Sequence, residues 1–260
     1  MKSAVRSQRA ETQRIVMLLL RETIRKSAQA ESKWIRAKGE SPEYAHVQVR
    51  VTPLPRGSGI KLETAPPRGH FPEQFIPSVE QGFLAALAAG VVARYEVTDL
   101  RAEVTTGSYH EQDSNSRAFE KAAEDALRKA IQAAEPFLLE PVLRVLVTVP
   151  EEFMGVVIGS INANEGLVTG LVAGPAGSQT ITALIPERVF PGFEGALTPD
   201  TQRRASVSSS PGGYQELRLA LAQRLRYCSG CERKVLPRSE GSACPDCGAS
   251  LGSDDYYNAV

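Results

Sequence analysis

Four cysteines, and only four, lie in this 260-residue chain: Cys228, Cys231, Cys244 and Cys247. They form two Cys-x-x-Cys pairs with twelve residues between them. A stretch this short cannot bury a hydrophobic core, so whatever joins the cysteines must supply most of its folding energy. Each pair sets two sulfurs on one side of a tight turn, about 3.5–4 Å apart, and two facing turns make a tetrahedral sulfur cage. Zinc, with Zn–S of about 2.3 Å, fits that cage. Four thiolates leave no open coordination position, so such a metal is structural and not catalytic. Pro245 and Gly248 suit a knuckle whose backbone N–H groups point at sulfur. Two disulfides or an iron–tetrathiolate centre are the alternatives. Disulfides are disfavoured because nothing suggests export. The run Ile15–Leu20 is six apolar residues between arginines, with no small-residue cleavage site after it. No apolar stretch approaches the ~20 residues needed to span a bilayer. The expected location is therefore a reducing cytoplasm.

The length suggests one large or two modest domains besides the cysteine segment. Thirty basic and thirty acidic residues give no net charge, which excludes a global polyanion-binding signature. The charge is uneven, however. Between positions 1 and 38 stand ten Lys or Arg and only Glu11, Glu22 and Glu31. This basic arm suits phosphate contact or, equally, a solvated helix face.

The middle of the chain alternates strand and helix patterns. Tyr44–Pro53 reads as a strand with Val47, Val49 and Val51 on one face. A Pro/Gly-rich segment runs on to Pro72, and Phe75–Ala89 then has helical spacing. Glu96–Thr106 is a second strand pattern. Asp113 or Ser114 is placed to cap a long helix, Ser116–Ala134, closed by Pro136. After Pro141 comes a strand Leu143–Val149, then a helix opened by Pro150-Glu151-Glu152 with its acids at the positive end of the dipole. Gly166–Gly170 reads as a turn, and strand Ser178–Leu184, short helix Pro186–Phe193 and strand Ala205–Ser209 follow. The set is read as the βαββαβ order of ferredoxin-like domains, although only three of its four strands are placed. Tyr214–Tyr227 reads as a helical connector into the cysteine segment.

Several blocks carry a resemblance. They are Arg21-Glu-Thr-Ile-Arg-Lys26; Gly107-Ser-Tyr-His-Glu-Gln-Asp-Ser114; Leu138-Leu-Glu-Pro141; Pro150-Glu-Glu-Phe-Met-Gly155 with Val157-Ile158-Gly159; and Thr201-Gln202, Arg204-Ala205 and Tyr214. In this order they are similar to the fourth and fifth domains of bacterial elongation factor G, over about residues 20 to 216. The second block matches the family's GSYHDVDS tip loop, and the third its LLEP domain junction. Pro53-Leu-Pro-Arg-Gly-Ser-Gly59 is similar to the tetracycline ribosomal-protection proteins, which share the architecture. The resemblance implies an α+β chain: a left-handed βαβ domain IV-like fold, a ferredoxin-like domain V, and a small zinc ribbon. The implied division is a basic arm 1–18, domain IV 19–140, domain V 141–213, a helical connector 214–226, the zinc ribbon 227–251 and a tail 252–260. No GxxxxGK[ST] phosphate loop occurs, so a GTPase-less, non-enzymatic paralogue is expected, with no bound nucleotide.

By the same resemblance the ribosome or its RNA is the expected partner. His110 occupies the tip position, where imidazole can bond phosphate or 2′-OH or stack on a base. Tyr109 stands beside it and, as a strand residue, is expected to point inward; the plain reading of His110 is an exposed loop histidine. Arg203 replaces a family glycine and forms the pair Arg203-Arg204, suited to RNA or simply to water. The family's other tip loop, GGRGQYGHV, corresponds to Gly39-Glu-Ser-Pro-Glu-Tyr-Ala-His-Val47, in which Glu40 and Glu43 are expected to face and repel phosphate. That loop favours the alternative reading, a ribbon module gripping a protein partner. The three histidines, His46, His70 and His110, lie in separate segments, and no catalytic constellation appears.

Overall fold

The described part of the basic segment is strand, not helix. In this computed structural model, which describes residues 19–36, 42–65, 70–222, 224–236 and 243–251, the chain opens with β1 (Arg21–Ile24) and β2 (Ala28–Arg36). Ser32 is buried and Ala28, Ala30 and Trp34 lie half-buried, while Gln29, Glu31 and Lys33 face water, the period of two that a half-buried strand requires. The arm 1–18, the tail 252–260 and positions 39–41 of the tip loop lie outside the described residues.

Two compact units divide the chain. The first takes in Leu20–Leu139 and Glu216–Val235, the second Glu140–Gln215 and Leu236–Leu251. In the first, a four-stranded sheet of order β2-β3-β5-β4 is built from β2, β3 (Glu43–Pro53), β5 (Leu100–Ser108) and β4 (Ile60–Glu63). β4 pairs in parallel with β5, and the crossover between them carries α1 (Ile76–Ala89), the expected βαβ unit. α2 (Ser116–Ala133) buries an alanine-rich stripe with Phe119 and Ile131 at its bulky points. Phe119 lies between Phe71, at 4.8 Å, and Phe75, stacked at 4.4 Å. The two helices approach closely at Gly82, where a Cβ would stand 2.3 Å from the Glu120 carbonyl oxygen. Asn115 caps α2, not Asp113 or Ser114: its side-chain oxygen accepts from the Ala118 N–H at 2.8 Å.

β6 (Pro136–Pro150) is one long strand where the sequence suggests a helix stop and a domain junction. Pro136–Leu139 pair with β1, and Val142–Pro150 pair with β8 (Ser178–Pro186). Pro141 falls between the pairing with β1 and the pairing with β8, and β9 also pairs with β6. The second unit continues with α3 (Met154–Ala163), β7 (Leu167–Ala173), β8, α4 (Phe190–Asp200) and β9 (Ser206–Glu216), completing the ferredoxin-like βαββαβ order. β7 is an edge strand with Leu167, Leu171 and Val172 exposed. The expected connector helix is mostly absent. β9, paired with β6, runs on to Glu216 and takes the first residues of the expected helix into the sheet, and among the described residues of the connector only the turn α5 (Leu219–Ala222) is helical. β10 (Arg226–Cys228) and β11 (Arg233–Val235) form an antiparallel hairpin.

Candidate nucleic-acid interface and metal centre

The β10–β11 turn holds the first cysteine pair, and the Cys231 N–H points at the Cys228 sulfur at 3.4 Å. The second pair repeats the device, with the Asp246 N–H 3.4 Å from the Cys244 sulfur. Gly248 adopts φ +76°, open to glycine at little cost, and its N–H bonds the Cys244 carbonyl at 3.0 Å. The four sulfurs lie within 4.8 Å of one another. One such cluster can hold a single metal ion. N–H groups aimed at sulfur stabilise thiolate, the form that binds metal.

The tip loop follows β5. Tyr109 does not point inward as expected: β5 ends at Ser108, so Tyr109 sits on the loop beside His110 and both are exposed. The His110 Nδ1 lies 3.2 Å from the Asp113 carboxylate. The loop is tied to the start of β3 at three points on Tyr44. Its N–H donates to the Asp113 carbonyl at 2.8 Å, its carbonyl accepts from the Ser114 hydroxyl at 2.7 Å, and its phenol bonds the Ser108 hydroxyl at 2.8 Å. The His110 N–H in turn donates to the Ser114 oxygen at 2.9 Å. Ser114 thus holds the loop closed instead of capping α2. An exposed imidazole on a loop fixed at this many points is pre-organised for contact.

Glu43 does not face outward as expected. Its carboxylate accepts from the Trp34 indole N–H at 2.9 Å, and the residue is buried. That bond, with Arg117 and Arg36 near by, holds its pKa below the ordinary 4.5. The sequence showed the charge but not its partner, which comes from the neighbouring strand β2. His46 bonds Glu31 at 3.0 Å, and His70 bonds the Thr106 hydroxyl at 2.8 Å, so both have structural work within the sheet.

Arg203 and Arg204 lie in the other unit. Gln202 and Arg203 both take positive φ, at +51° and +62°, the left-handed region that glycine adopts most readily. Arg203 is exposed, whereas Arg204 is engaged: it pairs with Glu152 and lies 5.3 Å over the Phe153 ring. Glu151–Phe153 is a single 3-10 turn before α3, and Glu152 therefore serves Arg204 as well as the helix start.

A buried carboxylate within the Arg21–Lys26 block, whose role residue type does not reveal, organises the loop after α1. Glu22 is fully buried and accepts the N–H groups of Val91, Val92, Ala93 and Tyr95 at 2.6–3.1 Å. Gly90 permits the turn, with φ +64° and no room for a Cβ, which would meet the Tyr95 carbonyl oxygen at 2.3 Å. No helix among the described residues is long and apolar enough to cross a membrane.

Comparison with known families bears on these features. Residues 18–135 match elongation factor G, domain IV, and residues 137–225 match the elongation factor G C-terminus. A crystal structure of a protein from Thermus thermophilus superposes with a TM-score of 0.70 and 31% identity over 81% of this chain. The chain spans 31% of the length of that protein.

Proposed function

Because residues 18–225 belong to the elongation factor G family, through its domain IV and its C-terminal domain, we propose that the chain is a non-catalytic ligand of the ribosome or its RNA. The observation that carries the reading is the anchored tip loop, which offers His110 and Tyr109 to a partner. An imidazole and a phenol at one rigid tip suit the single-stranded and irregular RNA that proteins read by stacking and 2′-OH contact. Arg203 adds an exposed cation in the second unit for a phosphate, while Arg204 first has to leave Glu152. The inward turn of Glu43 removes one of the two carboxylates that count against an RNA contact.

The four cysteines take zinc as a structural ion, and the ribbon adds an anchoring module carrying Arg233 and Lys234. The chain acts in the cytoplasm without nucleotide chemistry, either occupying the factor site or serving ribosome stress or assembly. Co-sedimentation of the zinc-loaded protein with ribosomes at two salt concentrations tests the reading. Stoichiometric binding that falls with salt, is competed by elongation factor G, and weakens in His110→Ala and Arg203→Ala is the expected result. Absence of binding to ribosomes and to both subunits would sink it. The second reading, a protein partner gripped through the ribbon, would then be pursued by pull-down.

A further inference from the structure

The first knuckle of the cysteine segment does not hang free on a connector. It packs on the loop that Glu22 holds. The Lys234 N–H donates to the Ala93 carbonyl at 3.0 Å. The Arg233 guanidinium lies 5.2 Å over the Tyr95 ring, and Arg94 lies 5.9 Å over the Tyr227 ring. One backbone bond and two reciprocal cation–ring contacts join the hairpin to the loop, each side contributing one arginine and one tyrosine.

Both sides of this joint are rigid for different reasons. On the loop side, Ala93 and Tyr95 give their N–H groups to the buried Glu22 carboxylate, so the Ala93 carbonyl is fixed in direction. On the hairpin side, Cys228 pairs with Arg233 and Tyr227 with Lys234 across two three-residue strands. Strands this short have no core of their own, and their geometry depends on what joins the cysteines.

We propose that metal binding at the four cysteines is coupled through this joint to the stability of the domain IV unit. The chain then behaves as a metal-responsive body: metal loss releases the hairpin and loosens the unit that bears His110. Coupling of this kind is reciprocal, so a weakened joint also weakens the metal.

Trp34, the only tryptophan, lies in β2 of the same unit and reports its unfolding by fluorescence. The test is urea denaturation of the full chain, reduced, with one equivalent of zinc and after chelation, the zinc content being measured directly. The Trp34 midpoint is expected to fall to lower urea when zinc is removed. In Tyr227→Ala/Arg233→Ala, which retains all four cysteines, it should be low already and insensitive to zinc. That variant should also bind zinc about tenfold more weakly in competition with a chelator. An unchanged Trp34 midpoint in the wild-type chain on zinc removal overturns the proposal. So does a double variant that keeps the full zinc-dependent shift, or a chain that takes up no zinc.

Discussion

Among the described residues each unit buries one glutamate completely, and the two are satisfied in opposite ways. Glu22 is held by four backbone N–H groups of a single loop. Glu140 is held by side chains: the Arg188 guanidinium at 2.9 Å and the Gln215 amide at 3.1 Å, with Arg188 also bonded to Glu165. The first arrangement neutralises a charge with fixed dipoles, the second with an opposite charge. Dipoles of the backbone cannot be substituted away, so Glu22 fixes a shape. A guanidinium can be replaced together with its partner, so the Glu140 site is a polar inclusion that a paired substitution can exchange. The shape that Glu22 fixes is the one against which the cysteine hairpin packs.

The largest effect is expected on the side-chain pair. Arg188→Ala leaves Glu140 buried without its charge partner and should cost about 3–5 kcal/mol. Amide exchange on β6 and β8 would measure this, and Glu140→Met/Arg188→Met should recover most of the loss, because replacing both charges is near neutral. A cost below about 1 kcal/mol for the single change would remove the contrast between the two sites. Glu22→Gln comes next, at about 2–4 kcal/mol, since the amide NH₂ then faces donors and leaves N–H groups unpaired. Trp34 fluorescence in urea would report it. No second side-chain substitution should rescue it, and finding one would break the comparison.

Acid should separate the units further. Glu43, Glu135 and Glu216, all in the first unit, titrate below their ordinary 4.5, held down by the Trp34 indole, Lys26 and Arg25 respectively. A carboxyl with a depressed folded-state pKa stabilises the fold above its unfolded-state value and loses that contribution as pH falls through the folded one. The Trp34 urea midpoint should therefore decline from about pH 5 downward. Exchange in β6 and β8 should follow less steeply, and equal slopes would count against this difference between the units. The smallest effect is expected at the surface. Arg204→Ala removes an exposed pair with Glu152 and should cost less than about 1 kcal/mol in a thermal melt.

The cysteine pairs and the family blocks make the α+β class, the ferredoxin-like domain and the metal cluster legible, but not β7, which reads as a turn because of Gly166 and Gly170. What stays hidden has particular causes. β1 and β2 escape because their inward residues include Thr23, Ala28, Ala30 and Ser32, all small or polar, so the apolar alternation is faint. β6 escapes because Pro136 and Pro141 read as stops, although Pro136 stands at the first position of the strand and Pro141 falls between its pairings with β1 and β8. Glu22 escapes because its partners are amides of residues 91–95, and backbone amides carry no residue identity. The inward turn of Glu43 needs a tryptophan nine positions away across a strand pair. At the tip, residue type points to His110, but its anchoring through Tyr44 and Ser114 depends on two strands meeting.

The edge strand β7 has a colloidal consequence. It presents Leu167, Leu171 and Val172 to water on a chain whose formal charge is zero at pH 7 and whose pI is about 6.9. Near neutrality little long-range repulsion keeps two copies apart, and the outer edge of an apolar strand is a template for edge-to-edge association. Solubility should therefore pass through a minimum close to physiological pH and rise when a single lysine is placed at Val172.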